Sequence, residues 1–170
     1  MLRAKYCSPL GDIIVIVEGN ELIYCNWDDP ACESKLRRTL EKAQIVYEEN
    51  SDGREEKTIS LALTQLSEYF SGERIKFDLP LKLIGTSFQK RVWEILAEIP
   101  NGETRSYLWV ARQIENPQSV RAVAMACGAN PIALMIPCHR VISSSGRIGG
   151  YTGGIDRKVS LLELERISKF

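Results

Sequence analysis

The single histidine of the chain, His139, directly follows Cys138 in the run Ile-Pro-Cys-His-Arg-Val at residues 136–141. A free cysteine is most often a small buried apolar group. Beside an imidazole it can be a nucleophile, provided something takes its proton, because a thiol with a pKa of about 8.5 is mostly protonated at neutral pH. The run reads as a buried strand, and successive residues of a strand point to opposite faces. Direct contact between Cys138 and His139 is therefore not required, and a water could bridge them. A carboxylate that orients the imidazole would complete a relay. The C-terminal stretch 156–165, which reads as a helix, offers Glu163 and Glu165 for that role. The glycine-rich stretch 143–154 could fold over a pocket, with Tyr151 and Thr152 as its hydrogen-bonding members.

The bulk properties narrow the chemistry. The chain has 170 residues, 44% hydrophobic and 26% charged, which is the balance of an ordinary globular protein. The longest apolar run near its start, Ile13–Val17, is too short for a signal-peptide core, and no stretch approaches membrane-spanning length. A soluble, intracellular protein is expected. Its 5 cysteines are an odd number with no CxxC pair, so a disulfide framework is not expected. A structural zinc site usually takes four Cys or His ligands, which a lone histidine and scattered cysteines serve badly. The net charge of zero hides a split: residues 1–80 hold 10 Lys+Arg against 15 Asp+Glu, and residues 81–170 hold 12 against 7. A basic C-terminal half suggests an anionic partner for it.

The elements that must position these residues fall into two groups. Residues 3–27 read as a three-stranded antiparallel meander with turns at Ser8–Gly11 and Glu18–Asn20. A charged helix is predicted from Pro30 to about Lys42, then a polar loop over 47–57. A second helix is predicted over 58–70, with Leu63, Leu66 and Phe70 on its inner face. The proline-interrupted stretch 75–85 marks the boundary between an N-terminal α/β domain, 1–78, and a mostly helical C-terminal domain, 79–170. The fold class is α+β. In the second domain Thr86 and Gln89 match a capping box, followed by Phe88, Val92, Ile95 and Ile99 at helical spacing. Two short helices then flank the turn Glu115–Gln118, forming a helix-turn-helix candidate.

The last of these helices carries the discriminating detail. Val120, Val123 and Cys127 fall on one face and should pack inward. The opposite face offers Arg121, Ala122, Met125 and Ala129. A major-groove reader projects several long polar side chains, whereas a face of small residues suits close approach to a shallow minor groove. Arg121 sits in the first turn, where the helix dipole disfavours a cation, and this points to a functional arginine.

Together, the Pro-Cys-His-Arg motif, the stretch 143–154 behind it, residues 86–107 ahead of it and residues 115–131 between them resemble the O6-alkylguanine-DNA alkyltransferase family, over roughly residues 86–165. The resemblance implies DNA repair by stoichiometric transfer of an alkyl group from O6-alkylguanine in flipped-out DNA to Cys138. On it, His139 deprotonates Cys138 through a water and Glu165 orients the histidine. Tyr107 supports nucleotide flipping and bonds the base. Arg121 fills the hole the base leaves, with Ala122 and Met125 beside it on the DNA. Asn130 is a hinge, the Val141 carbonyl accepts from the guanine amino group, and Tyr151 and Thr152 line the pocket. Some relatives bind zinc through two cysteines and two histidines, but His139 is committed to the active site, so no metal and no cofactor are expected. The expected partner is double-stranded DNA bearing O6-alkylguanine, met by a monomer in the cytoplasm, or in the nucleus of a eukaryote. The rivals are a lesion-binding protein that leaves Cys138 idle and a thiol hydrolase. The hydrolase leaves the helix-turn-helix and Arg121 unexplained.

Overall fold

The structure, a computed structural model, describes residues 1–42 and 53–167. It opens with an antiparallel sheet of β1 (Leu2–Ser8), β2 (Gly11–Glu18) and β3 (Glu21–Trp27), in that order. Gly19 lies in the left-handed region, φ 61°, as the tight turn requires. β2 is apolar without alternation because both of its faces are covered. Ile13, Val15 and Val17 enter the main core, and Ile14 and Ile16 pack with Ile23, Tyr24 and Leu36 in a second cluster. Leu36 comes from α1 (Pro30–Lys42), the expected charged helix.

α2 runs over Arg54–Phe70, four residues further back than predicted. Residues 54–57 are good helix formers with acids in the first turn, where the dipole favours them. The rest of the predicted polar loop, 47–52, lies outside the described residues. The inner face also differs: Ile59, Ala62, Leu66 and Tyr69 are buried, while Leu63 and Phe70 are half-buried at its edge.

The connector after α2 does not merely separate two halves. Leu22 donates its N–H to Pro80 O at 2.8 Å and accepts from Lys82 N at 3.0 Å, so the connector lies along β3. Further along the same edge, Cys25 N donates to Pro131 O at 3.0 Å and Ala133 N to Cys25 O at 2.7 Å. One buried cluster runs through both halves, from Val15 and Leu66 to Val92, Val123 and Leu161.

α3 (Ser87–Ala97) starts at Thr86 in a reciprocal capping box with Gln89, as predicted. Val92, Trp93 and Leu96 form its buried face, with Phe88 and Ile95 half-buried beside it. α4 (Tyr107–Gln113) is capped by Ser106, whose hydroxyl accepts from Trp109 N at 3.0 Å. A single 3₁₀ turn at Pro117–Ser119 leads into α5 (Val120–Gly128), completing the helix-turn-helix. Two short strands, β4 (Arg105–Ser106) and β5 (Val141–Ile142), pair in parallel, and α6 (Ile155–Ile167) closes the described chain.

Candidate active site

Every residue from Asn130 to Val141 is buried. The burial is as expected, but the strand is not: Cys138–Arg140 form a 3₁₀ turn, and strand pairing begins only at Val141. Pro137 has no N–H to offer a ladder, and Arg140 N closes the turn on Pro137 O at 2.9 Å.

Asn130 holds this segment. Its amide nitrogen donates to Ile136 O at 2.8 Å and to Cys138 Sγ at 3.2 Å, and its Oδ1 accepts from Ile132 N at 3.0 Å. From β3, Asn26 Nδ2 donates to Asn130 O at 3.2 Å. Burial pushes the Cys138 thiol up, opposed by the Asn130 hydrogen bond and by the charges of Lys158 and Lys35.

Glu165 is the centre of a buried network. His139 Nε2 lies 2.7 Å from its Oε1. Arg140 holds both oxygens, Nε to Oε2 and Nη2 to Oε1, each at 2.9 Å. Tyr69 Oη donates to Oε1 at 2.8 Å and Gly102 N to Oε2 at 3.3 Å. Burial alone would raise this carboxyl, but the hydrogen bond from His139 and the hydrogen bonds and charge of Arg140 outweigh it and hold it well below the usual carboxylate range. Glu163, the other carboxylate offered by the sequence, is exposed. Burial pulls the His139 pKa down, with Glu165 only partly opposing it, so the ring is neutral at neutral pH. A neutral ring that gives Nε2–H to Glu165 leaves Nδ1 as an acceptor, and Nδ1 is buried with no partner within the protein.

The remaining predicted residues surround this core. Val141 O accepts from Lys158 Nζ at 2.6 Å. Lys158 is fully buried, and burial lowers its pKa. Tyr151 Oη accepts from Trp27 Nε1 at 3.1 Å, and Thr152 Oγ1 donates to Gly128 O at 2.9 Å, so the glycine-rich loop folds back against β3 and the end of α5. Tyr107, at the start of α4, lies beside the same loop: a Cβ on Gly149 would come within 3.0 Å of its hydroxyl. Burial, reinforced by the sulfurs of Cys127 and Cys138, pushes the Tyr107 phenol up to about 12, so it remains a proton donor. Arg121, Ala122 and Met125 are exposed on α5, opposite buried Val123 and Cys127. Among the described residues the Arg121 side chain has no hydrogen-bond or ion-pair partner.

Sequence reasoning missed four contributors: Tyr69, Arg140, Lys158 and Lys35. Lys158, Leu161 and Glu165 stand at i, i+3 and i+7, a helical stripe whose two charged members could have been found by spacing. Nothing local marks Tyr69 or Lys35, which arrive from the other half of the chain. Among the described residues no group of three or more His, Cys, Asp and Glu side chains is arranged to hold a metal ion.

Two family models match the chain. One is described as the DNA-binding domain of 6-O-methylguanine DNA methyltransferase, over residues 87–167, and the other as the ribonuclease-like domain of the same protein, over residues 1–83. A methylated-DNA–protein-cysteine methyltransferase of Mycolicibacterium paratuberculosis is 52% identical over 159 residues, 94% of this chain and 88% of its own. The crystal structure of the Mycobacterium tuberculosis O6-methylguanine methyltransferase superposes with a TM-score of 0.79 at 40% identity, covering 99% of this chain and 94% of that one. A Mycobacterium tuberculosis structure in complex with DNA gives 0.78 at 39% identity, covering 96% and 92%.

Proposed function

The chain belongs to the 6-O-methylguanine DNA methyltransferase family, and from that premise we infer how its own residues carry the reaction. The protein repairs DNA by direct transfer, taking an alkyl group from O6 of guanine onto one of its own cysteines. Cys138 is the acceptor. The observation that carries this is the buried network behind it: ionised Glu165, fixed by Arg140, orients His139 so that Nδ1 is the free base. The Cys138 proton passes to Nδ1 through a solvent molecule. The thiolate then attacks the alkyl carbon, an S–C bond forms, and the C–O6 bond breaks with its electron pair going to the guanine. Tyr107 supplies a proton or hydrogen bond to the departing ring. The thioether product is stable, so each molecule reacts once.

A base cannot be dealkylated inside the stack, and extruding it costs about a few kcal/mol. Arg121, exposed at the start of α5, offsets part of that cost by occupying the space the base leaves. Ala122 and Met125 lie beside it in the groove. Asn130 ties this helix to the Cys138 turn. Val141 O retains a second lone pair beyond the one used by Lys158, and it accepts from the guanine amino group. Tyr151 and Thr152 wall the pocket around O6. Residues 79–170 bind DNA and accept the alkyl group, and residues 1–78 buttress them along β3. No helix of the described residues is long and apolar enough to cross a membrane. The protein works where chromosomal DNA lies, in the cytoplasm or, in a eukaryote, the nucleus.

The test is intact and peptide mass spectrometry after mixing with a duplex that holds one O6-methylguanine. One methyl group per protein, on Cys138, is the expected result; a methyl group on another residue, or none, overturns the assignment.

A further inference from the structure

A cavity of about 850 Å³ lies between α1, the connector and the start of α3, and no residue of the Cys138 turn lines it. Lys35 and Arg38 of α1, Lys82 of the connector and Lys90 of α3 line it, over a floor that includes Trp93, and no acidic side chain does. Among the described residues, only Lys82 of the four cations has a carboxylate, Glu18 at 2.5 Å. The Lys35 ammonium is held by neutral acceptors, Gly128 O and Thr152 Oγ1. Arg38 and Lys90 are exposed, and among the described residues their side chains have no hydrogen-bond or ion-pair partner. Cations gathered without counter-charge repel one another, and an anion placed among them relieves that repulsion.

The cavity is continuous with the face of α5 already assigned to DNA. Met125, 77% exposed, is part of its wall. We propose that this cleft takes the sugar-phosphate backbone of the bound duplex, beyond the nucleotide under repair, so that the N-terminal half binds DNA through Arg38. The proposal rests on the alkyltransferase reading and gives the first half of the chain a direct role in it. A phosphodiester strand fits the cleft in two respects: it is a continuous anion, and it already passes α5 at Met125.

The experiment compares wild type, Arg38→Ala and Arg37→Ala in binding to a duplex across a salt series. Arg37 is the adjacent exposed cation on α1, paired with Glu33 at 3.0 Å and not part of the cleft lining. Losing one phosphate contact lowers the slope of log K against log salt by about 0.9, which is about fivefold in affinity at 0.15 M salt. That loss is expected for Arg38→Ala, and wild-type binding for Arg37→Ala. Unchanged affinity and slope for Arg38→Ala overturn the proposal and leave the cleft to another anion, such as an acidic protein segment. Equal losses in both variants overturn it too, since only net charge would then be acting. Transfer from a free O6-alkylguanine base, which carries no phosphate, is the reference: the ratio of duplex to free-base rate falls in Arg38→Ala. A wild-type protein that takes no alkyl group from either substrate contradicts the alkyltransferase reading itself, a failure distinct from that of the cleft.

Discussion

The chemistry at Cys138 depends on charges that its neighbours cannot hide. A thiol buried this deeply resists ionisation, so it needs both a base and positive charge near the sulfur. In the mechanism we propose, His139 Nδ1 is that base, and Lys158 and Lys35 supply the charge. Cys138→Ala removes the acceptor without touching the exposed cations. Transfer is expected to vanish while duplex affinity stays within about twofold, because phosphate contacts dominate affinity. A gel-shift titration beside a methyl-transfer assay checks this, and loss of both together would contradict the site assignment. At this scale the sequence was most informative: the Cys-His pair and Arg121 could be singled out from residue type and position, and Asn130 from the family resemblance. Arg140 stood in the same motif with no role assigned, since its bond to Glu165 spans 25 residues.

At the scale of elements, the reading was best where a local signal is strong. The meander, the capping box at Thr86 and the helix-turn-helix all follow from short-range chemistry. The 3₁₀ turn at Cys138 and the early start of α2 did not, because an apolar run and a charged run each fit more than one backbone until tertiary contacts choose. The glycine-rich loop shows how contact decides. A Cβ on Gly153 would stand 2.2 Å from the Trp27 indole, so Gly153→Ala must displace the Tyr151–Trp27 pair. A loss of about 1–3 kcal/mol in urea unfolding is expected, with slower transfer from duplex and free base alike. On α5 the expectation separates the two substrates. Arg121→Ala should slow reaction with duplex by about tenfold or more, while the free base, which needs no extrusion, reacts at nearly the wild-type rate. Equal slowing on both would show that Arg121 acts other than through extrusion.

For the whole molecule, stability carries the signature of its one histidine. Burial depresses the His139 pKa, so below the ordinary value of about 6.5 the unfolded chain binds a proton that the folded chain refuses. Stability is therefore full above about pH 7 and falls as pH drops below it, by at most about 1.4 kcal/mol per pH unit. His139→Gln should flatten that slope between pH 5 and 7 in a urea series. The Glu165 contribution stays, because a depressed carboxylate loses its stabilisation only as pH falls below about 4.3. An unchanged slope in the variant would place the titrating group elsewhere. The sequence by itself determined the helix-turn-helix and the capping box, because each is written in residue types a few positions apart, and its resemblance to a family supplied the reaction class. Only the tertiary structure decided which carboxylate serves His139, what the Val141 carbonyl already holds, and why the N-terminal sheet matters. Those answers join Tyr69, Asn26 and Trp27 to residues about a hundred positions away, and such pairings are selected by the packing of one shared core.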